Sequence, residues 1–216
     1  MTASSRTRVG SGAGAAPVAA PGAEDLGSSA QRERRKRILD ATLALASRGG
    51  YDAVQMRSVA ERADVALGTL YRYFPSKIHL LVAALARELE RTQERTDRLA
   101  LPGDTPYQRL MFILERMTRA MQRDPQLTEA MTRAFMFADA TAAGEVDVVG
   151  RLMDRMIARA LTSGEPSEEQ LAIARIVTEV WLSNLVSWVT RRASAADVAS
   201  RLELTIGLLL GERTVS

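Results

Sequence analysis

Apolar residues recur every three or four positions along most of the chain, the spacing that places them on one face of an α-helix. This pattern begins at about Ala30 and continues to about Leu210. No segment alternates apolar and polar positions, as a half-buried β-strand would. The pattern therefore predicts an all-α protein with about nine helices.

Glycine, proline and capping residues predict where these helices end. Gly49-Gly50 closes the first helix, and two short helices, 56–63 and about 66–73, follow it. Ser76 is the expected N-cap of a long fourth helix, and Ser167 with Gln170 predicts a capping box. The remaining breaks are Pro102-Gly103-Asp104, Asp124-Pro125 and Gly164-Glu165-Pro166.

The helix that follows Ser167 is apolar on nearly every side. Thirteen of the nineteen residues from Leu171 to Val189 are apolar. Arg175 and Glu179 lie inside this run and argue against a membrane span, so we expect no membrane association. Together with the last helix, 194–211, it offers more apolar surface than one chain needs. This surplus predicts a four-helix seam between the two copies of a homodimer.

Residues 1–30 differ in composition from the rest of the chain. Twenty of these thirty residues are Gly, Pro, Ala or Ser. Because such a segment buries too little apolar surface to offset the entropy of ordering, it is expected to be a disordered tail. No apolar run of seven or more follows its arginines, so it does not read as a secretory signal.

Composition excludes most catalytic and metal chemistry. The chain has no cysteine and one histidine, His79, which excludes disulfides, thiolate metal sites and a cysteine nucleophile. His79 has no second histidine to share a metal ion with, and it is expected at the surface or near DNA. An enzyme would need two convergent carboxylates, and only Glu179 lies within an apolar run. We therefore predict no catalytic residue, no metal and no cofactor.

Charge is concentrated in one part of the chain. Residues 31–77 carry ten Lys or Arg and five acidic residues, whereas residues 78–216 carry 17 basic and 19 acidic residues. A basic block attached to a faintly acidic body is typical of a protein that holds a polyanion. A solvated basic helix face would give the same count, so charge alone leaves both interpretations open.

Residues 54–77 predict a helix-turn-helix. The turn around Asp64-Val65 is too short for its two helices to lie antiparallel, so they must cross steeply. Leu70 and Phe74 lie four residues apart and can anchor the second helix. Its outward face is small, hydrogen-bonding, aromatic and cationic, a combination that suits DNA. The predicted domains are thus the tail at 1–30, a DNA-binding domain at 31–77 and a helical body at 78–212.

This stretch resembles the DNA-binding domain of the TetR family of transcriptional regulators. The similarity runs from RILDATLALASRGGYDAV through MRSVAERADVALGTLYRYFPSK. It implies that double-stranded operator DNA is contacted by Arg57, Ser58, Leu67, Gly68, Thr69, Tyr71, Arg72, Tyr73 and Lys77. Ala66 replaces the Ser or Thr of many relatives, so Asp64 is the expected substitute N-cap of the recognition helix. Leu67 replaces a commonly polar residue, which predicts an apolar base contact there.

A cluster of basic residues lies at the start of the first helix. Cations near a helix N-terminus are unfavourable for the macrodipole, so a counter-anion is expected. DNA phosphate is the functional interpretation, with Arg34, Arg35 and Lys36 as contacts. An ordinary solvated face is the alternative.

The body resembles a narrower group, the KstR-type repressors of cholesterol and steroid catabolism in actinobacteria. The similarity is carried by AMQRDPQLTEAMTRAFMFADATAAGEVD and VWLSNLVSWVTRRAS, and it covers about residues 28–211. It implies a cytoplasmic homodimer that represses steroid-degradation genes. A side-chain-oxidised steroid, free or as its CoA thioester, is the implied small-molecule effector that releases it from DNA.

The residues predicted to bind this effector are mostly apolar, because thioether and aromatic side chains adapt to a bulky apolar ligand. Asn184 and Ser187 are the candidate polar contacts, and a buried hydrogen bond at the dimer seam would explain them equally well. The predicted set is Met117, Met121, Met131, Phe135, Met136, Trp181, Asn184, Leu185 and Trp188. Plain core packing is the alternative for each Met and Phe.

Two other functions are compatible with the sequence. A TetR-type repressor could respond to a different bulky apolar ligand, and a nucleoid-type protein could bind DNA without sequence preference. DNA binding that is insensitive to sequence would favour the second.

Overall fold

The computed structural model describes residues 23–211, with side chains from Ser29 onward. Within that range the chain forms nine α-helices, one 3-10 turn and no β-strand, which confirms the all-α prediction. The helices are α1 (Ala23–Ala53), α2 (Met56–Ala63), α3 (Leu67–Tyr73), α4 (Lys77–Asp97), α5 (Pro106–Arg123), α6 (Pro125–Met136), α7 (Ala143–Leu161), α8 (Glu168–Val189) and α9 (Ala195–Leu210), and the 3-10 turn is Ala140–Ala142.

Local chemistry determines where these helices start and stop. The Ser76 hydroxyl accepts a hydrogen bond from the His79 backbone N–H at the start of α4. Capping boxes at Thr105, Ser167 and Ser194 open α5, α8 and α9. Gly49 and Gly50 leave the helical conformation inside α1. The predicted caps at Ser76 and Ser167 and the predicted break at Gly49-Gly50 are therefore confirmed.

The first helix begins earlier than its apolar stripe indicates. α1 starts at Ala23, whereas the pattern placed the start of helix at about Ala30. The last proline before the helix is Pro21, and Gly27 costs only about 1 kcal/mol relative to alanine, so the helix extends into small residues. Residues 1–22 of the predicted tail lie outside the described residues.

The first three helices pack on one another, and α1 also packs against α4. Ile38 and Leu39 of α1, Val59 of α2 and Leu70 of α3 are all fully buried. Each fully buried side chain of this size stabilises the fold by roughly 1.5–3 kcal/mol relative to exposure. This small core fixes α3 to α2 and leaves the outer face of α3 exposed.

α4 belongs to both the N-terminal unit and the body. Midway along it, the buried Arg87 side chain reaches α1, where it donates to the Lys36 carbonyl at 3.1 Å and lies 2.8 Å from the Asp40 carboxylate. Burial lowers the pKa of Arg87, and the negative charge of Asp40 opposes that shift. The contact ties the middle of α4 to α1.

The body consists of α5 to α9 packed around the rest of α4. α7 contacts α4, α5 and α8, and α8 in turn contacts α9. α6 packs against α1 more extensively than any other pair of helices does. The body therefore touches the N-terminal unit through α6 as well as through α4.

Candidate nucleic-acid interface and ligand cavity

The turn between α2 and α3 has the geometry of a helix-turn-helix. Asp64 ends α2 in the left-handed conformation with φ 53°, which Asp adopts more readily than most residues. The Val65 N–H donates to the Ala60 carbonyl at 3.0 Å and closes the end of α2. α3 then begins at Leu67, so the two helices cross instead of lying antiparallel.

The prediction that Asp64 caps α3 is wrong. The N-cap of α3 is Ala66, and no side chain accepts a hydrogen bond from the first turn of the helix. Asp64 ends α2 two residues before that position, and its carboxylate lies 3.9 Å from the Arg37 guanidinium. α3 therefore starts without a side-chain cap.

α3 presents one face to the core and the other to solvent. Leu70 is buried within the helix, and Phe74, directly after it, is buried as well. Tyr71 is 47% exposed, Gly68 and Arg72 are also exposed, and Leu67, Thr69 and Tyr73 are half-buried. Apart from its chain neighbours and the backbone of its own helix, a Cβ added at Gly68 would meet no protein atom within 4 Å. The predicted recognition residues thus share one accessible surface, and the space over Gly68 is open to an external partner.

The other predicted contacts on α1 and α2 lie beside this surface. Arg57 is exposed and Ser58 half-buried at the start of α2. The Arg35 guanidinium lies 5.8 Å from the Phe74 ring centroid, which places this α1 cation next to the end of α3. Lys36 is exposed and pairs only loosely, at 3.8 Å, with Glu33; such exposed pairs contribute little. Arg34 is half-buried.

Lys77 is less free than a surface lysine. Its ammonium nitrogen lies 3.8 Å from the Tyr51 ring centroid, a cation–π contact. Burial lowers the pKa of Lys77, the nearby Arg133 adds to that effect, and Asp52 and Glu129 oppose it. No local pattern of residues signals this contact, because Tyr51 and Lys77 belong to different helices.

The expectation that His79 lies at the surface is wrong. It is only 7% exposed, because it follows the N-cap of α4 and faces the turn Ala140–Ala142. Its Nε2 atom donates to the Thr141 carbonyl at 3.0 Å, and its Nδ1 atom lies 2.9 Å from the Ser76 hydroxyl. Since a carbonyl only accepts, this pairing places the ring proton on Nε2. His79 therefore fastens the start of α4 to the segment between α6 and α7.

A cavity of about 250 Å³ lies in the body and is bordered by parts of α4, α5, α6, α7 and α8. Six of the residues predicted to bind the effector line it: Met117, Met121, Met131, Phe135, Trp181 and Leu185. Its wall also includes residues that sequence reasoning missed, namely Leu85, Leu89, Thr92, Thr128, Thr132, Val149, Gly150, Thr178 and Leu182. Glu88, Arg95 and Asp124 add charge at its border. The cavity is thus mostly apolar with a few polar groups, as small-molecule sites usually are.

Three residues of the predicted ligand set lie outside this cavity. Met136 is 53% exposed, because the cavity face of α6 ends at Phe135 and the next residue turns away. Asn184 is buried, but its amide donates to the Val180 carbonyl of its own helix at 2.9 Å. Trp188 lies one turn beyond the cavity and borders a much smaller pocket beside Val198. Ser187, the other polar candidate, donates to Ser183 in the same way as Asn184.

The sequence pattern does not identify the threonines of the cavity wall as ligand-binding candidates, because they interrupt the apolar stripes of their helices. Thr92, Thr128 and Thr178 each donate a hydroxyl hydrogen bond to a backbone carbonyl, at 2.8–2.9 Å. The Thr178 hydroxyl also lies 3.2 Å from the Asp154 carboxylate. Their spacing offered one signal, since Thr128 and Thr132 stand four apart beside Met131 and Phe135.

The described part of the chain contains neither a membrane-spanning helix nor a cluster of metal ligands. No helix there is both long and apolar enough to cross a membrane. Among residues 29–211, whose side chains the structure describes, no three Asp, Glu or His side chains are grouped as ligands of a metal ion would be.

Comparison with known proteins gives two family matches. Residues 38–84 match the family described as bacterial regulatory proteins, tetR family. Residues 103–209 match the tetracyclin repressor-like C-terminal domain. The first match covers the second half of α1, α2, α3 and the start of α4, and the second covers α5 to α9, which supply most of the cavity wall.

Individual relatives match over nearly the whole chain. The sequence is 69% identical to the HTH-type transcriptional repressor KstR of Mycolicibacterium smegmatis, over 90% of this chain and 95% of that protein. It is 68% identical to the repressor of the same name from Rhodococcus jostii, over 98% and 97%. Among solved structures, a TetR transcriptional regulator from Rhodococcus sp. RHA1 superposes with a TM-score of 0.74 at 34% identity, over 86% of this chain and 99% of that one.

Proposed function

Because the chain belongs to the TetR family of bacterial regulatory proteins, we propose that it is a dimeric repressor of steroid-degradation genes that a steroid effector releases from DNA. One observation carries the DNA-binding part: the exposed face of α3 gathers the recognition residues around an open space at Gly68. The 68–69% identity to transcriptional repressors named KstR supports the regulatory role. Such a repressor acts in the cytoplasm.

Two copies of α3 are needed for a specific site. One helix of seven residues reads too few base pairs to specify an operator, so a two-fold dimer places one α3 in each of two successive major grooves. The half-sites then lie about one helical turn apart, roughly 34–36 Å, on a pseudopalindrome. Leu204 and Leu208 of α9, 64% and 67% exposed, and the exposed Ile176 of α8 supply an apolar surface for the seam.

The cavity suits a bulky apolar effector that must enlarge it. Its volume of about 250 Å³ falls below the roughly 300–1,000 Å³ of most ligand pockets. A steroid therefore has to displace the surrounding helices to enter. Arg95 is the cation on the cavity wall and is the proposed partner of an oxidised side chain.

α4 offers a route from the cavity to DNA. Its middle and second half line the cavity through Leu85, Leu89 and Thr92, and its first residue is Lys77 beside the recognition helix. Tilting α4 in both copies changes the separation of the two α3 helices, which DNA holds nearly constant. An effector that binds the tilted state about a hundredfold better, about 2.7 kcal/mol, shifts operator occupancy decisively.

The proposal is tested with a side-chain-oxidised 3-oxo steroid acid and its CoA thioester. Footprinting without steroid should show that the protein protects a pseudopalindromic DNA site, and adding either steroid should remove that protection. Because Trp181 and Trp188 are the two tryptophans of the chain and Trp181 lines the cavity, fluorescence should report binding directly.

Two glycines of α7 allow matched variants that test whether the steroid binds in the cavity. Gly150 lines the cavity and Gly144 does not, and neither has an atom within 4 Å of an added Cβ. Gly150→Phe should abolish the steroid-induced fluorescence change, whereas Gly144→Phe should keep it. If neither steroid changes fluorescence or occupancy, the effector assignment fails and a repressor with another apolar ligand replaces it. Binding without sequence preference would instead indicate a nucleoid-type protein.

A further inference from the structure

α6 connects the cavity to the N-terminal unit through two opposite faces. Thr128, Met131 and Phe135 line the cavity on one face. Glu129 and Arg133, one turn apart on the other face, contact the end of α1. Because both faces belong to one short helix, an effector that displaces α6 also displaces the contacts of Glu129 and Arg133.

The end of α1 is shaped to accept α6 closely. Gly50 has a φ of 65°, and a Cβ there would stand 3.1 Å from the Glu129 carboxylate. That carboxylate accepts a hydrogen bond from the Tyr51 backbone N–H at 3.2 Å. The Arg133 guanidinium lies 3.6 Å from the Asp52 carboxylate. A glycine that tolerates both the backbone conformation and the close carboxylate makes this contact possible.

The aromatic ring of Tyr51 contacts two cationic side chains, one from α4 and one from α6. The Lys77 ammonium lies 3.8 Å from the ring centroid, and the Arg133 guanidinium carbon lies 4.4 Å from it. Each contact is favourable by itself, but the two positive charges repel one another. Asp52 and Glu129 partly offset this repulsion, in agreement with the opposed effects of these groups on the pKa of Lys77.

We propose that Tyr51 is a positioning residue that couples α6 to Lys77, so that displacement of Arg133 by an effector changes how Lys77 is presented to a DNA phosphate. The inference rests on the proposed function and specifies one contact through which the cavity reaches the operator. A phosphate competes with the ring for the ammonium group of Lys77. The position of Arg133, which repels that ammonium on the same ring, sets the balance between the two partners.

The first test needs neither DNA nor steroid. Lys36 and Lys77 are the two lysines of the whole chain, so reductive methylation with 13C-formaldehyde labels two side chains and the N-terminal amine. Methylation keeps the lysine charge. The ring current of Tyr51 should shift the methyl signals of Lys77 upfield of those of the exposed Lys36.

The variants Tyr51→Phe and Tyr51→Leu separate the ring from its hydroxyl. Tyr51→Phe should keep the upfield shift, and Tyr51→Leu should abolish it while the Lys36 signals stay in place. A Lys77 signal that coincides with Lys36 in the unmodified protein, or that Tyr51→Leu leaves unmoved, would overturn the proposal. Circular dichroism melts of each variant confirm that it is folded.

The second test measures coupling as the ratio of operator Kd with saturating steroid acid or thioester to operator Kd without it. Coupled proteins show ratios of about 5–150. Arg133→Gln and Tyr51→Leu should each bring the ratio towards 1. Tyr51→Phe, which keeps the ring, should keep the ratio of the unmodified protein. Arg119→Gln, which alters an exposed arginine of α5 paired with Glu115, should leave it unchanged. A ratio equal to that of the unmodified protein in Arg133→Gln would overturn the proposal.

A failure of the proposed effector gives a different result. In that case the unmodified protein itself shows a ratio of 1 with both steroids, and Gly150→Phe fills the cavity in their place. Gly150→Phe should then move the Lys77 methyl signal when Arg133 is present and should leave it in place when it is added to Arg133→Gln. An equal displacement of the signal in both backgrounds would overturn the coupling.

Discussion

At the scale of single residues, Leu70 and Tyr71 have opposite roles although they are neighbours on α3. Leu70 is fully buried and anchors the helix, and Tyr71 is exposed on the proposed DNA face. Stability and binding therefore depend on different side chains within one turn, and substitutions should separate them.

Leu70→Ala should lower the free energy of unfolding by roughly 2–5 kcal/mol, because it leaves a cavity in a small core. Tyr71→Ala should change it by no more than about 0.5 kcal/mol, as surface substitutions usually do, and should weaken operator binding. Urea unfolding and gel shift measure the two effects. Equal destabilisation by both variants would contradict this division of roles.

Lys77 is proposed to contact a phosphate, and the salt dependence of affinity reports such contacts. Lys77→Ala should reduce the slope of log affinity against log salt by about one per half-site, since one fewer counterion is released. Fluorescence anisotropy over a salt series gives the slope. An unchanged slope would remove Lys77 from the set of DNA contacts.

At the scale of helices, those ends that depend on local chemistry could be predicted from sequence. α2 was predicted at 56–63 and is observed at Met56–Ala63, and the caps at Ser76 and Ser167 are where expected. These signals need only residues close together in the chain. The prediction for Asp64 was wrong because an Asp between two helices can either end α2 or cap α3. Its left-handed backbone conformation shows that it ends α2.

Contacts between distant helices could not be predicted in this way. Six of the nine residues predicted to bind the effector line the cavity, because apolar residues at helical spacing indicate a buried face. Which buried face borders the cavity depends on how five helices pack against one another. Asn184 is an example of a buried residue outside the cavity, and its amide donates a hydrogen bond to its own helix. The contact between Tyr51 and Arg133 joins residues 82 positions apart, and neither residue carries a local signal for the other.

α3 should gain stability from the cap it lacks. Ala66 already has N-cap geometry, with φ −64° and ψ 141°, but offers no side-chain acceptor. Ala66→Ser should raise the free energy of unfolding by roughly 0.5–2 kcal/mol, because its hydroxyl can accept from the first turn. Urea unfolding measures the gain. Ala66→Val, which adds bulk without an acceptor, is the control and should give no gain.

The start of α9 should be sensitive to acid. The Ser194 hydroxyl and backbone N–H donate to the Asp197 carboxylate at 2.7 and 2.8 Å and lower the pKa of Asp197. A carboxyl whose pKa is lower in the folded state contributes stability above its ordinary pKa of about 3.8, and this stability is lost as the pH falls. Asp197→Asn should lower Tm at pH 7 and flatten its decline towards pH 3. Glu203→Gln, on the exposed face of the same helix, should do neither.

At the scale of the whole molecule, charge and apolar surface lie at different places. The basic block at residues 31–77 surrounds the proposed DNA face, and the body beyond it is slightly acidic. This division favours an approach to DNA with the N-terminal unit first. The exposed leucines of α9 lie on the body, where they are available for the proposed seam with a second copy of the chain.

Leu208→Glu should prevent dimerisation, because it places a charge in the proposed apolar seam. The variant should sediment as a monomer and lose most operator affinity, while its helix content stays unchanged. Leu99→Glu, at an exposed leucine after α4, should remain dimeric. A dimeric Leu208→Glu variant would exclude this part of α9 from the seam.

The weak attachment of α3 has a thermodynamic consequence for recognition. Within its seven residues one side chain is buried, and no side chain caps its first turn. Its amide hydrogens should therefore exchange with solvent through local openings of lower free energy than those of α4. Bases and phosphates of a matching operator supply the partners that the free helix lacks. Specific binding then includes a local folding step, and its heat capacity change is more negative than the contact area alone would give. Operator affinity should consequently depend more steeply on temperature than affinity for unrelated DNA, which contacts the phosphates without ordering the helix.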